Sequence, residues 1–391
     1  MSAYPARAVI DLDAIRGNAA ELAARAAPAA VMAVVKADGY GHGLVPSARA
    51  ALAGGATWLG VAQLEEALAL RSAGIDAPIL TWLYAPGAPL DQVVAAGIDV
   101  SVAAGWALLE VLDAARAVGR TARIHIKVDT GLGRSGVMPR ELGPLLDAAL
   151  GAQAEGLCSV VGVWSHLAWA DAPDHPTVLG QIGVFDEAVA LAERKGARLE
   201  VRHLANSAAT LTNPSMRYDL VRPGLAVFGL SPVPQIGGPA AFGLTPAMRL
   251  EADLAVVKSV EAGQGVSYAH VYTTPAATVL GVVPIGYADG VPRHASGTAD
   301  RWGGPVQVGG RRLGVAGRVC MDQFVLDLGH EADEVAGDRV VLFGSGADGE
   351  PTAEDWAQAA GTISYEIVTR IGSRVPRVYV GSAGDRPVTA R

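Results

Sequence analysis

Between residues 31 and 222, eight short apolar runs rich in β-branched residues alternate with stretches of helical patterning. The runs are 31–35, 58–61, 78–82, 99–102, 123–128, 160–164, 199–204 and 218–222. Leu64 and Leu68 share a helical face after the second run, and Val184, Ala188 and Leu191 share one after the sixth. Strands separated by helices pair in parallel. Eight such units predict a closed (β/α)8 barrel of the TIM type, an α/β fold.

The texture then changes. Residues 230–246 are dense in proline and glycine and read as a linker. Beyond them 250–260, 277–285, 305–315, 324–328 and 338–343 are extended and β-rich. Gly309-Gly310 reads as a hairpin turn, and Thr352 with Asp355 has the spacing of a capping box that opens one helix. A strand at 8–11 precedes the first helix. The expected organisation is a segment 1–11 joining the β-domain, a barrel over 12–235, and a mainly-β domain over 236–391.

A chain of 391 residues, 50% hydrophobic, accommodates two such domains and a large core. A formal charge of -8 argues against a nucleic-acid partner or an anionic membrane surface. Cys158 and Cys320 make no disulfide framework and suit a reducing, cytoplasmic setting. Residues 1–11 lack the charged and apolar regions of a secretory leader. Two uncharged stretches, 223–248 and 262–288, are long enough to cross a bilayer. The first is broken by Pro223, Pro232, Pro234, Pro239 and Pro246, the second by Pro275 and Pro284, so no membrane span is expected.

Parallel barrels place their chemistry at the C-terminal ends of their strands. Lys36 ends the first run and opens Lys36-Ala37-Asp38-Gly39-Tyr40-Gly41-His42-Gly43. Burial there disfavours the ammonium form, and a neutral lysine can form a Schiff base with a carbonyl, the aldehyde of pyridoxal phosphate included. A strand-end lysine taken alone is more often one that snorkels to water. The fifth run leads into Lys127-Val128-Asp129-Thr130-Gly131-Leu132-Gly133-Arg134, the sixth into Trp164-Ser165-His166, the seventh into His203-Leu204-Ala205-Asn206-Ser207, and the eighth into Arg222-Pro223-Gly224. Singly, each polar residue is more often structural than functional. Lys36, Arg134, His166, His203, Asn206, Ser207 and Arg222 gathered at one barrel mouth make a candidate site.

With these residues in hand, the chain resembles the alanine racemases, fold-type III pyridoxal-phosphate enzymes built from a barrel and a β-domain. The resemblance runs along nearly the whole chain. Its anchors in the barrel are Val34-Val35-Lys36-Ala37-Asp38-Gly39-Tyr40-Gly41-His42-Gly43, Val128 to Gly136, His203-Leu204-Ala205-Asn206-Ser207-Ala208 and Val221-Arg222-Pro223-Gly224. In the second domain they are Gly265-Val266-Ser267-Tyr268, Ile285-Gly286-Tyr287-Ala288-Asp289-Gly290, Gly317-Arg318-Val319-Cys320-Met321-Asp322-Gln323 and Thr362-Ile363-Ser364-Tyr365-Glu366.

The resemblance implies interconversion of L- and D-alanine, supplying D-alanine for peptidoglycan, by two-base proton transfer on a pyridoxal 5'-phosphate aldimine. Lys36 holds the cofactor and works on one face of the substrate. Tyr268 works on the other and is donated by the partner subunit of a homodimer. His166 and Arg222 lend positive charge that favours the Tyr268 phenolate. Arg222 also meets the pyridine nitrogen, whose proton an arginine cannot accept; decarboxylating relatives place an acid there. Tyr40, Ser207, Tyr365 and the backbone N–H groups of Gly224 and Leu225 hold the phosphate. Arg134 and the Met321 N–H place the substrate carboxylate. Lys127 occupies a position that is often carbamylated, which turns a cation beside Arg134 into an anion. His203, Asn206, Tyr287 and Asp322 are supporting and entrance residues, and no metal is implied.

Three departures from the family pattern stand out. Phe228 replaces a common tyrosine, Ala269-His270 follows Tyr268 where glycine is commoner, and Trp164-Ser165 replaces a polar-aromatic pair. The competing readings are a racemase of serine, lysine or several amino acids, an amino-acid decarboxylase, and a non-catalytic cofactor-binding module. Arg222 disfavours the decarboxylase; the β-domain and Tyr268 disfavour the module.

Overall fold

The computed structural model describes residues 4–381. Residues 1–3 and 382–391, the ends of the first and last expected segments, lie outside the described residues. The chain divides into two compact units. The barrel unit is Ile15–Gly39 with Leu44–Leu244, and the β-unit is Met1–Ala14, Tyr40–Gly43 and Thr245–Arg391.

Strand β1 (Ala6–Asp11) belongs to the β-unit. The barrel follows: β2 (Ala30–Val34), β3 (Trp58–Val61), β4 (Ile79–Thr81), β5 (Asp99–Val102), β6 (Ala122–Lys127), β7 (Cys158–Trp164), β8 (Val201–His203) and β9 (Leu220–Val221). Their order is β8-β7-β6-β5-β4-β3-β2-β9, and every pairing is parallel. Backbone bonds from Asp219 N–H to the Arg202 carbonyl (3.1 Å) and from Arg222 N–H to that of Ala205 (2.8 Å) join β9 back to β8. The expected eight-stranded barrel is present.

Met32, Leu80, Val161 and Leu220, from four different strands, pack in one core cluster. The helices cover the outside with one apolar stripe each. In Gly105–Val118 the stripe is Ala107, Leu108, Val111, Leu112 and Ala115, and the helix stops at Gly119 in the left-handed conformation.

The β-unit carries β10 (Met248–Asp253), β11 (Val256–Val260), β12 (Gly265–Val266), β13 (Tyr272–Thr273), β14 (Thr278–Val283), β15 (Pro305–Val308), β16 (Arg311–Ala316), β17 (Phe324–Gly329), β18 (Arg339–Phe343) and β19 (Arg377–Val380). Its main sheet runs β11-β14-β17-β16-β15-β18-β10-β1-β19. β1 lies antiparallel to β10 and parallel to β19. Gly309 and Gly310 both have positive φ (54° and 79°), the signature of the tight turn that matches strand twist. Thr352 and Asp355 make the expected capping box: Asp355 N–H donates to Thr352 Oγ1 (3.1 Å) and Thr352 N–H to Asp355 Oδ2 (2.8 Å).

The structure corrects two expectations. The run 250–260 is two strands, because Leu254 N–H turns to the Asp338 carbonyl and Ala255 N–H to that of Val282, sending β10 and β11 to different places in the sheet. The expected linker is packed: Leu230, Val233, Phe242 and Leu244 are buried, and Ser231 Oγ donates to the Gly237 carbonyl. The apolar residues between its prolines have a surface to cover, and the change of unit falls after Leu244.

Candidate active site

Lys36 leaves β2 into an improbable backbone. Ala37, Asp38, Gly39 and Tyr40 have φ of 53°, 53°, 63° and 53°. Consecutive left-handed residues cost L-amino acids roughly 1–2 kcal/mol each, so such a turn persists only where its surroundings impose it. Here Glu66 Oε1 accepts from Ala37 N–H (2.6 Å), the Val35 carbonyl accepts from Gly39 N–H (2.8 Å), and Asp38 Oδ1 accepts from Leu44 N–H (2.8 Å). Glycine is required at 39, since a Cβ there would lie 2.8 Å from Ser47 Oγ. The turn sets Lys36 half-buried at the barrel mouth.

The mouth is crowded with cations. Burial, reinforced by Arg134, lowers the Lys36 pKa. Lys127, at the end of β6, is pushed down to about 8 by burial and then by Arg134, Arg222 and Lys36, against a smaller opposing pull from Asp129. Its Nζ lies 4.5 Å from the centre of the Trp164 ring. Arg134 sits on the loop after β6, where Asp129 accepts from the N–H groups of Gly131 (2.9 Å), Gly133 (3.1 Å) and Arg134 (3.1 Å). Burial alone would raise the Asp129 pKa; those backbone donors outweigh it and hold it low.

Arg222, at the end of β9, is almost fully buried. Its Nη2 donates to the carbonyls of Ser165 (2.6 Å) and Leu204 (3.1 Å), and its Nη1 to His203 Nδ1 (3.2 Å). Burial pushes its pKa to about 9, and with three acceptors around it the guanidinium stays charged at neutral pH. His166 Nδ1 lies 3.5 Å from Arg222 Nη2. Burial, then Arg222, Arg134, Lys127 and Lys36, hold the His166 pKa well below its ordinary value. These surroundings favour a neutral His166 ring over the positive charge expected there.

Trp164 also has a consequence that the sequence did not show. It stacks on His203 at 5.5 Å and lies under the guanidinium of Arg222 at 4.8 Å. Ser165 Oγ ties the end of β7 to the Val128 carbonyl (2.7 Å).

Ser207 Oγ accepts from Gly224 N–H (2.8 Å) and Ala226 N–H (3.3 Å), which leaves its own proton to donate. Asn206 caps the helix Ser207–Thr212 by accepting from Ala209 N–H (3.1 Å). Leu225 opens the turn Leu225–Phe228, whose first N–H groups have no partner within the turn. A donor hydroxyl, backbone amides and the cations of the mouth are what a phosphate-bearing aldehyde requires, and Lys36 is the amine to hold it. The donor set fits pyridoxal phosphate.

The remaining expected residues belong to the β-unit. Tyr40 and Tyr365 lie with ring centres 6.4 Å apart. Tyr268 is 70% exposed and Met321 53% exposed. Ser267, Ala269 and His270 all have positive φ, and the His270 ring lies over Gly265, where any Cβ would meet it at 2.3 Å. Ala269-His270 thus keeps a left-handed loop without glycine. Tyr287 N–H donates to the Cys320 carbonyl (3.0 Å) and Ala288 N–H to that of Met321 (2.9 Å), locking those two segments together. Asp322 pairs with Arg374 at 2.8 Å.

Two buried residues escaped the sequence reading. His125 Nδ1 lies 2.9 Å from His203 Nε2, and His125 Nε2 lies 3.1 Å from Asp99 Oδ2. The alternation Arg123-Ile124-His125-Ile126-Lys127 held the signal: it puts His125 on the same strand face as Lys127.

Comparison with known proteins agrees with this geometry. Residues 10–232 match the family model for the alanine racemase N-terminal domain, and residues 247–379 match that for the C-terminal domain. An alanine racemase of Beutenbergia cavernae is 66% identical, over 97% of this chain and 98% of that protein. Among solved structures, the alanine racemase of Streptomyces lavendulae has a TM-score of 0.95 at 57% identity, covering 98% of both chains. That of Streptomyces coelicolor has a TM-score of 0.94 at 59% identity, covering 97% of this chain and 98% of that one.

Proposed function

The chain belongs to the alanine racemase family, and from that premise we propose that it interconverts L- and D-alanine using pyridoxal 5'-phosphate, with Lys36 and Tyr268 as the two opposed proton carriers. The observation that carries the assignment of residues is Lys36 itself: an amine of lowered pKa, held by a strained turn at a cationic mouth. When bound, pyridoxal phosphate supplies the electron sink that makes the α-proton of an amino acid removable.

The chain's own residues do the rest. Lys36 anchors the cofactor and then exchanges a proton with the substrate α-carbon on one face. The Tyr268 phenol does so on the other face. Arg222, a donor only, is assigned to the pyridine nitrogen and leaves it unprotonated, which favours proton return over side reactions. Ser207, Tyr40, Tyr365 and the Leu225 amide hold the phosphate; the Gly224 N–H, expected to join them, is taken up by Ser207 Oγ and orients that hydroxyl instead. Arg134 and the Met321 N–H place the substrate carboxylate. His203 and Asn206 support the barrel side, and Tyr287 and Asp322 the entrance.

Lys127, with its pKa near 8, has a neutral fraction at physiological pH. That neutral amine is the form that adds carbon dioxide, forming an N–C bond and releasing a proton, and the carbamate then pairs with Arg134. The exposure of Tyr268 and Met321 supports a homodimer in which each copy completes the other's site. Among the described residues no helix is long and apolar enough to cross a membrane. With the two free cysteines, this supports a cytoplasmic enzyme that feeds D-alanine to peptidoglycan.

Borohydride tests the assignment. It should fix a yellow chromophore in the wild-type holoenzyme, and alanine should turn over faster than serine or lysine in parallel assays. A Lys36→Ala protein with a covalently bound chromophore overturns the role of Lys36; faster turnover of serine or lysine overturns the substrate.

A further inference from the structure

A line of buried polar side chains descends from the mouth through the barrel interior: Arg222, His203, His125 and Asp99. Arg222 is 4% exposed, Asp99 2%, and both histidines 0%. The successive separations are 3.2, 2.9 and 3.1 Å. Beyond Asp99, Arg123 Nε donates to Asp99 Oδ1 (2.9 Å) and continues to Glu200.

The two ends fix the direction of every bond between them. A guanidinium only donates, so His203 Nδ1 must accept, and the His203 proton sits on Nε2. That proton goes to His125 Nδ1, which places the His125 proton on Nε2, facing the Asp99 carboxylate, which only accepts. No link is frustrated. The rings are held in place as well. Trp164 stacks on His203, and the Trp58 ring meets His125 edge-on at 5.7 Å. Gly162 clears the space, since a Cβ there would sit 2.9 Å from His125 Nδ1.

We propose that Asp99 and His125 are positioning residues for Arg222: through His203 they set which imidazole nitrogen faces the guanidinium, and so the orientation Arg222 presents to the mouth. The inference rests on the assignment of Arg222 to the pyridine nitrogen. Asp99→Asn is the informative change. Arg123 claims the amide oxygen, the amide NH2 then faces His125 Nε2 and donates to it, and both imidazoles switch their proton to Nδ1. His203 Nδ1–H then points at Arg222 Nη1–H, and the guanidinium must tilt away.

The test is 15N NMR of holoenzyme labelled in the histidine imidazoles, together with alanine racemisation kinetics. Wild type should show His125 and His203 protonated on Nε2; an Nδ1-protonated or doubly protonated ring at either position overturns the proposal. Asp99→Asn should show both inverted, with kcat lowered about tenfold, the loss expected for one net hydrogen bond, and KM little changed. Unaltered tautomers in a folded Asp99→Asn protein, or inverted ones with kcat within about twofold of wild type, also overturn it. His125→Phe cuts the chain with an apolar ring and predicts the same loss of kcat; should Asp99→Asn not fold, it decides in the same way. A wild type that racemises nothing overturns the functional reading and the role of Arg222 with it, while its NMR spectrum still reports the tautomers.

Discussion

Nη1 of Arg222 stands 3.2 Å from Nδ1 of His203, so the barrel's buried cation is met by an acceptor rather than by a carboxylate. Burial, followed by Arg222 and His125, holds the His203 pKa well below its ordinary value. A neutral imidazole bonds the guanidinium without cancelling its charge. Arg222 therefore stays a cation and stays a donor at the barrel mouth, which is what its proposed role toward the pyridine nitrogen needs.

Replacing that donor with an acceptor should change the reaction's outcome as well as its rate. An Arg222→Glu protein is expected to lose roughly 10²–10³-fold in kcat for racemisation, the scale seen when a preorganised donor is removed. Pyruvate released per D-alanine formed should rise, because a protonated pyridine nitrogen deepens the electron sink. Parallel assays of pyruvate and D-alanine check this; an unchanged ratio contradicts the role given to Arg222.

Cofactor capture should follow the titration of Lys36. Its pKa is lowered, chiefly by burial and then by Arg134, so the reactive neutral amine is present at lower pH than for a free lysine. The rate at which apoenzyme takes up pyridoxal phosphate should rise with pH, with a midpoint below the ordinary lysine value of 10.5. Stopped-flow absorbance across the pH range measures that midpoint, and one at the ordinary value contradicts the desolvated site.

Lys127 should limit stability in the absence of carbon dioxide. Its folded pKa of about 8 lies below the ordinary 10.5. Between those values the unfolded chain binds more protons, so stability rises with pH across the window and the penalty is complete below it. In buffer free of carbon dioxide, Lys127→Met is expected to be more stable than wild type at pH 7, by up to about 3 kcal/mol, and equal to it above the window. With 13C-bicarbonate, wild type should show a carbamate resonance that Lys127→Met lacks. A Lys127→Met protein less stable than wild type at pH 7 contradicts a destabilising charge at Lys127.

The barrel was legible because each strand carries its own boundary. Even β9, only Leu220–Val221, was marked by the Val221-Arg222-Pro223 signature. The β-unit was less legible where pairing is non-local. Nothing in Leu254-Ala255 announces that one apolar run serves two places in a sheet, and β19 is a short strand whose partner, β1, lies at the other end of the chain.

In the candidate site, residues at the C-terminal strand ends announced themselves, while Asp99 opens β5 at the opposite end and His125 sits inside β6. There a polar residue looks like any other until its register and partners are known. The left-handed turn after Lys36 was visible only as a loop rich in glycine, because Ala37, Asp38 and Tyr40 adopt positive φ without being glycine. Tertiary contacts impose that conformation, and local sequence does not encode them.

An alanine racemase removes and returns the α-proton of alanine on both faces. Incubating the holoenzyme with L-alanine in deuterated water, followed by chiral chromatography and mass analysis of the product, reads out both events at once. The expected product is an equal mixture of L- and D-alanine with deuterium at the α-carbon. L-alanine recovered as a single enantiomer, with or without deuterium, would contradict it.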